Sequence, residues 1–112
     1  MSEEFRRARR RDAPVDIAVI DTMTDQEVGR LGNVSETGML LISESALVDD
    51  GLYQLRFQLP QPDGPPLDIE VGAHLLWQNG ASAPGNAWLG FRFITLTGDS
   101  HAHLRVWLEQ PH

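Results

Sequence analysis

Cysteine is absent from the 112 residues, which excludes disulfides, thiolate metal sites and a cysteine nucleophile. Lysine is absent too, so all nine basic residues are arginine. No apolar run approaches the roughly 18–20 residues that would span a bilayer, and no membrane association is expected. Two acids and then arginines open the chain with no apolar stretch behind them, unlike a secretory signal. There is no GxGxxG and no Walker loop, so dinucleotide cofactors and nucleoside triphosphates lack their usual cradle. A nucleophile elbow is missing as well, because Gly38 lies three residues after Ser35 rather than two. The histidines are His74, His101, His103 and His112. His101 and His103 point to different faces of a helix, so no metal site is expected.

What is present fits a single small domain. Hydrophobic residues make up 41% and charged residues 22%, against both wholesale disorder and a coiled-coil rod. The net charge of −7 conceals two unlike parts. The first eleven residues hold five arginines against Glu3 and Glu4, a net +3, while the other 101 hold four arginines against fourteen acids, a net −10. An acidic body repels a nucleic-acid backbone, so a broad nucleic-acid platform is disfavoured. A small anionic ligand held by the basic arm stays open.

Residues 1–12 have no apolar periodicity and read as a flexible arm; residues 13–112 read as the folded body. Val15, Ile17 and Val19 alternate with Asp16 and Ala18 as a first strand, and residues 28–34 form a plausible return. Met39-Leu40-Leu41-Ile42 is short enough for a buried strand. Asp49-Asp50-Gly51 then signals a turn. Tyr53, Leu55, Phe57 and Leu59 share one strand face, and the proline-rich residues 60–66 end that ladder. A long strand follows through Leu67, Ile69, Val71, Ala73, Leu75 and Trp77, and the last strand face is Ala87, Leu89, Phe91 and Phe93. Leu104, Trp107 and Leu108 switch to helical spacing after a cap at Asp99 or Ser100. The expected fold is mainly β: a small antiparallel barrel of about six strands with one short C-terminal helix.

Two polar features stand apart from that core pattern. The cluster Arg6-Arg7-Ala8-Arg9-Arg10-Arg11 contains RxxxR in two registers, Arg6/Arg10 and Arg7/Arg11. Guanidinium groups suit phosphate because they donate in a fork and stay charged, and the same plane can stack on a base. The second feature is Asn33-Val34-Ser35-Glu36-Thr37-Gly38, an NxSxxG between two strands. Asn33 and Ser35 offer donors and acceptors, and Gly38 lets a ligand or a backbone approach closely.

The order of these features resembles the PilZ domain, the bacterial receptor module for cyclic di-GMP. That family carries RxxxR in an N-terminal arm, then a strand led by Pro-Val, then [D/N]xSxxG. Arg7 to Arg11, Pro14-Val15-Asp16-Ile17 and Asn33 to Gly38 follow it, as do Gly51, Trp77, Gly90-Phe91-Arg92-Phe93 and the final helix, over about residues 4–110. The resemblance implies that Arg7 and Arg11 hold phosphate and guanine while Asn33, Ser35 and Gly38 line the guanine pocket. Two residues, Asp12 and Ala13, separate Arg11 from Pro14 where the family usually has one. Arg7/Arg11 needs the smaller insertion and is preferred, with Arg6/Arg10 as the other register. Trp77 could stack on the ligand, but its phase with Val71, Ala73 and Leu75 favours core packing. The chain is expected to be a non-enzymatic, cytoplasmic receptor with cyclic di-GMP as ligand, no other cofactor, and a protein partner reading its changed surface. Two alternatives are a PilZ-like interaction module that does not bind the nucleotide, and an arm that engages RNA or DNA.

Overall fold

Period-two alternation runs through most of the chain, and those segments pair as antiparallel strands. The computed structural model describes residues 10–44, 47–79 and 87–110. Its strands are β1 (Arg11–Asp12), β2 (Ala18–Asp21), β3 (Gln26–Val34), β4 (Gly38–Ser43), β5 (Leu52–Leu59), β6 (Leu67–Asn79) and β7 (Ala87–Leu96), followed by helix α1 (Ser100–Glu109). Six of them close a ring in the order β3-β2-β5-β6-β7-β4, sealed by β3–β4 pairing, while β1 adds to β3. Closure removes the exposed edges that an open sheet of this size would carry.

The alternation predicts the core well. Leu55, Phe57, Leu59, Ile69, Val71, Ala73, Leu75, Leu89, Phe91 and Phe93 are all buried inside the ring. Turns fall at the polar interruptions, with Asp25 and Asp50 both at φ 61°, the left-handed region that Asp tolerates better than most residues. The first strand departs from expectation. It begins at Ala18 rather than at Val15, and Val15 is 59% exposed. Pro14 has no N–H to donate, so it splits what would be one strand along β3 into β1 and β2. Ala13 N still donates to Gly32 O at 3.0 Å, and Leu31 N to Ile17 O at 2.9 Å, on either side of the break.

Helix α1 adds Leu104 and Trp107 to the barrel core. Asp99 occupies the N-cap position but makes no side-chain cap. Ser100 does not cap either; its hydroxyl accepts from Glu70 N at 2.8 Å and ties the helix start to β6. Trp107 Nε1 donates to Pro60 O at 2.9 Å, fixing the other end to the β5–β6 connection.

Candidate functional site

Ser35 organises the loop between β3 and β4. Its N–H donates to Gly38 O at 2.8 Å. Its hydroxyl accepts from Thr37 N at 3.2 Å and from Gly38 N at 3.3 Å. The residue is completely buried, so the hydroxyl serves the loop itself, in the manner of a serine turn. Gly38 faces Arg92 across the β4–β7 ladder, and a Cβ there would collide with the Phe91 carbonyl oxygen. The close approach that requires glycine is therefore made by backbone. Thr37 O accepts from Phe93 N at 2.8 Å, which pins the loop to β7.

The arm reaches this loop by extending the sheet. Arg11 pairs with Val34 and Asp12 with Asn33. Successive residues of an extended chain point to opposite sides, so Arg10 and Arg11 diverge. Arg10 Nε donates to Asn33 Oδ1 at 2.6 Å, and its Nη1 lies 3.5 Å from Ser35 Oγ, long for a hydrogen bond. Arg11 leaves the loop: its Nη1 donates to the Trp107 carbonyl, and its guanidinium carbon lies 3.9 Å from the centre of the Trp107 ring. Burial lowers the pKa of both guanidinium groups below the ordinary value, yet arginine stays cationic. Arg6 and Arg7 lie outside the described residues.

Helix α1 also meets the loop. Glu36, between Ser35 and Thr37 in the motif, has its carboxylate 3.4 Å from Arg105 Nε and 3.7 Å from His101 Nε2. These pairs are half exposed, so each contributes little to stability. They do place the loop beside the same helix that receives Arg11.

Trp77 is not a core residue. It is 51% exposed, because the β6–β7 register slips between Leu75 and Trp77. That irregularity puts Leu75 inside and Trp77 outside, against the phase predicted by alternation. The indole lies across Gly90, where a Cβ would strike it. Pairing then aligns Asn33, Leu40, Gly90 and Trp77 in one row across four strands, a span of about 14 Å at the usual strand spacing. A parallel row holds Gly38, Arg92 and His74. Arg92 is exposed in this row, a position not singled out from the sequence as a candidate. Its signal was the alternation of Phe91 and Phe93 inward, which turns the residue between them outward.

A concavity of about 930 Å³ lies elsewhere: Ile17, Ile20, Gln58 and Ile69 are among its walls, and it shares no residue with the NxSxxG loop. Asp16, Asp68, Glu70 and Asp99 line it against Arg56, a balance that disfavours an anionic ligand. Among the described residues no group of three or more His, Asp or Glu side chains could hold a metal ion. Among the described residues no helix is long and apolar enough to cross a membrane.

The site is thus a closed six-stranded barrel with Arg11–Asp12 laid along one strand and a serine-built loop beside them. The chain belongs to the PilZ family, whose domain matches residues 4–110. No curated protein matches it significantly. Among solved structures, the Bacillus subtilis inhibitor of motility MotI/DgrA is similar at TM-score 0.68 and 17% identity, over 91% of this chain and 49% of that one. YcgR of Escherichia coli in complex with c-di-GMP is similar at TM-score 0.67 and 18% identity, over 89% of this chain and 42% of that one. The PilZ domain of the same protein with c-di-GMP matches at TM-score 0.61 and 18% identity, over 88% and 85% of the two chains. The chain thus spans about half the length of the first two.

Proposed function

We propose that the protein is a receptor for cyclic di-GMP, gripping the dinucleotide between its arginine arm and the outer face of the barrel. Membership of the PilZ family and likeness to two structures holding that ligand support the reading. The observation that carries it is the Arg10 guanidinium held at 2.6 Å on Asn33, a cation already brought to the polar loop and partly stripped of water. An incoming phosphodiester or guanine O6/N7 edge offers that fork two acceptors where Asn33 offers one.

The geometry favours Arg6 and Arg10 as the RxxxR pair rather than Arg7 and Arg11, because Arg10 faces the loop and Arg11 faces the helix. Asn33 supplies amide donors and acceptors to the guanine, Ser35 and Gly38 set the shape of the loop, and exposed Trp77 supplies a stacking face. The barrel surface altered by the bound ligand is then read by a protein partner. No step of covalent chemistry is assigned to the chain, and a cytoplasmic site of action is in keeping with the proposed ligand.

Calorimetric titration with cyclic di-GMP tests the reading. Saturable binding that is weakened in Arg10→Ala and Asn33→Ala is expected. Absence of heat and of any chemical-shift change at high ligand concentration would instead leave a PilZ-like interaction module without nucleotide. Gel-shift affinity for RNA or DNA that is indifferent to cyclic di-GMP would assign the arm to nucleic acid.

A further inference from the structure

Helix α1 has no basic residue in its last turn, although cations near a helix C-terminus are favourable and its last carbonyls need donors. Arg11 supplies the cation from the other end of the chain, and a second donor to the Trp107 carbonyl, which also accepts from Gln110 N at 3.2 Å. Its guanidinium donates to the Trp107 carbonyl and lies over the Trp107 ring, and Trp107 is fully buried and bonded to Pro60. The anchor point is therefore rigid. One peptide unit away, Arg10 sits on Asn33. Stationing Arg10 there in free solution costs backbone and side-chain entropy, and a fixed neighbour removes much of that cost before ligand arrives.

We propose that Arg11 is a positioning residue for ligand binding: it latches the arm to Trp107 and thereby holds Arg10 at the NxSxxG loop, without itself touching the ligand. The latch rests on the receptor reading above for its ligand, and on the contacts of Arg11 for its geometry. It also joins the site to the helix. The loop reaches α1 through Glu36 with Arg105 and His101, and the arm reaches it through Arg11, so both walls of the site are fastened to one element. Binding and helix docking are then linked, and each strengthens the other by the same factor.

Cyclic di-GMP titration of wild type, Arg11→Ala, Arg11→Lys and Arg10→Ala, combined with amide exchange, tests this. Arg11→Ala is expected to weaken binding about tenfold, the scale of one partly desolvated cation–π contact. It should also speed exchange at residues 10–12 without ligand. Arg11→Lys restores part of the loss, since an ammonium keeps the charge but not the flat stacking. Arg10→Ala weakens binding while the Arg11 amide keeps its protection. In wild type, saturating ligand slows exchange in the last turn of α1; in Arg11→Ala it does not. Wild-type affinity in Arg11→Ala overturns the latch while leaving the receptor intact. Weak binding with unchanged protection at residues 10–12 also overturns it, because Arg11 would then contact ligand directly. If wild type gives no heat, the receptor reading falls by itself, and the latch stands or falls on whether Arg11→Ala loosens residues 10–12.

Discussion

Arg10 and Asn33 meet across 2.6 Å although they lie 23 residues apart in the chain. The arm carries the cation, the end of β3 carries the amide, and β1–β3 pairing brings them together. Desolvation lowers the Arg10 pKa, so the free site bears a penalty that an anion would relieve. Arg10→Ala and Asn33→Ala are each expected to weaken cyclic di-GMP binding by at least ~1.5 kcal/mol, the scale of a hydrogen bond to a charged group. Because the two side chains contact each other, the double variant should lose less than the sum. Additive losses in calorimetry would show that they act separately.

Removing the Ser35 hydroxyl strips an acceptor from Thr37 N and Gly38 N in a fully buried loop. Ser35→Ala should therefore cost about 1–3 kcal/mol of stability, with a lower denaturation midpoint even when no ligand is present. A variant that lost affinity with unchanged stability would assign the hydroxyl to ligand instead.

Gly38→Ala drives a methyl group into the Phe91 carbonyl oxygen. The methyl is fixed directly to the Cα of one paired strand and the oxygen belongs to the backbone of the other, so neither can turn aside as a flexible side chain would. A loss of about 1–3 kcal/mol is expected, together with a shifted β4–β7 register visible in the amide spectrum. Denaturation at the wild-type midpoint would contradict the collision.

High salt should weaken the binding of a doubly charged ligand to the arm. Affinity measured at low and high ionic strength is expected to fall with added salt in wild type and to fall less in Arg10→Ala. An equal slope in both would remove Arg10 from the phosphate.

Most of the barrel was legible because β5 alternates cleanly and β6 and β7 do so over much of their length, and an inward face of Leu, Ile, Val and Phe leaves few other ways to fold. The failures have local causes. Val15 continued the alternation, but Pro14 broke the ladder and left it exposed. Trp77 also fitted the period, and a register slip of one residue carried it to the other face. Neither event is written in hydrophobicity, since a bulge conserves composition and changes only direction. The NxSxxG loop was legible as a polar interruption, whereas the choice between Arg10 and Arg11 was not. A run of arginines satisfies RxxxR in two registers, and only pairing of Arg11 with Val34 decides which side each faces.

The tryptophans at 77 and 107 give the sharpest contrast between surface and core. Trp77 is half exposed and packs on Gly90, while Trp107 is fully buried with its indole N–H bonded to Pro60. Trp107→Ala would open a large cavity and leave that carbonyl unpaired, so a loss of about 3–5 kcal/mol is expected. Trp77→Ala exposes Gly90 and removes little buried surface, so its denaturation midpoint should stay close to wild type. Its effect should appear in binding. If the indole stacks on a guanine, tryptophan emission changes on titration with cyclic di-GMP in wild type and that change is lost in Trp77→Ala, with affinity reduced by about 1–3 kcal/mol. An emission change that survives Trp77→Ala would place the responding indole elsewhere, and a destabilised but normally binding Trp77→Ala would return this residue to a packing role.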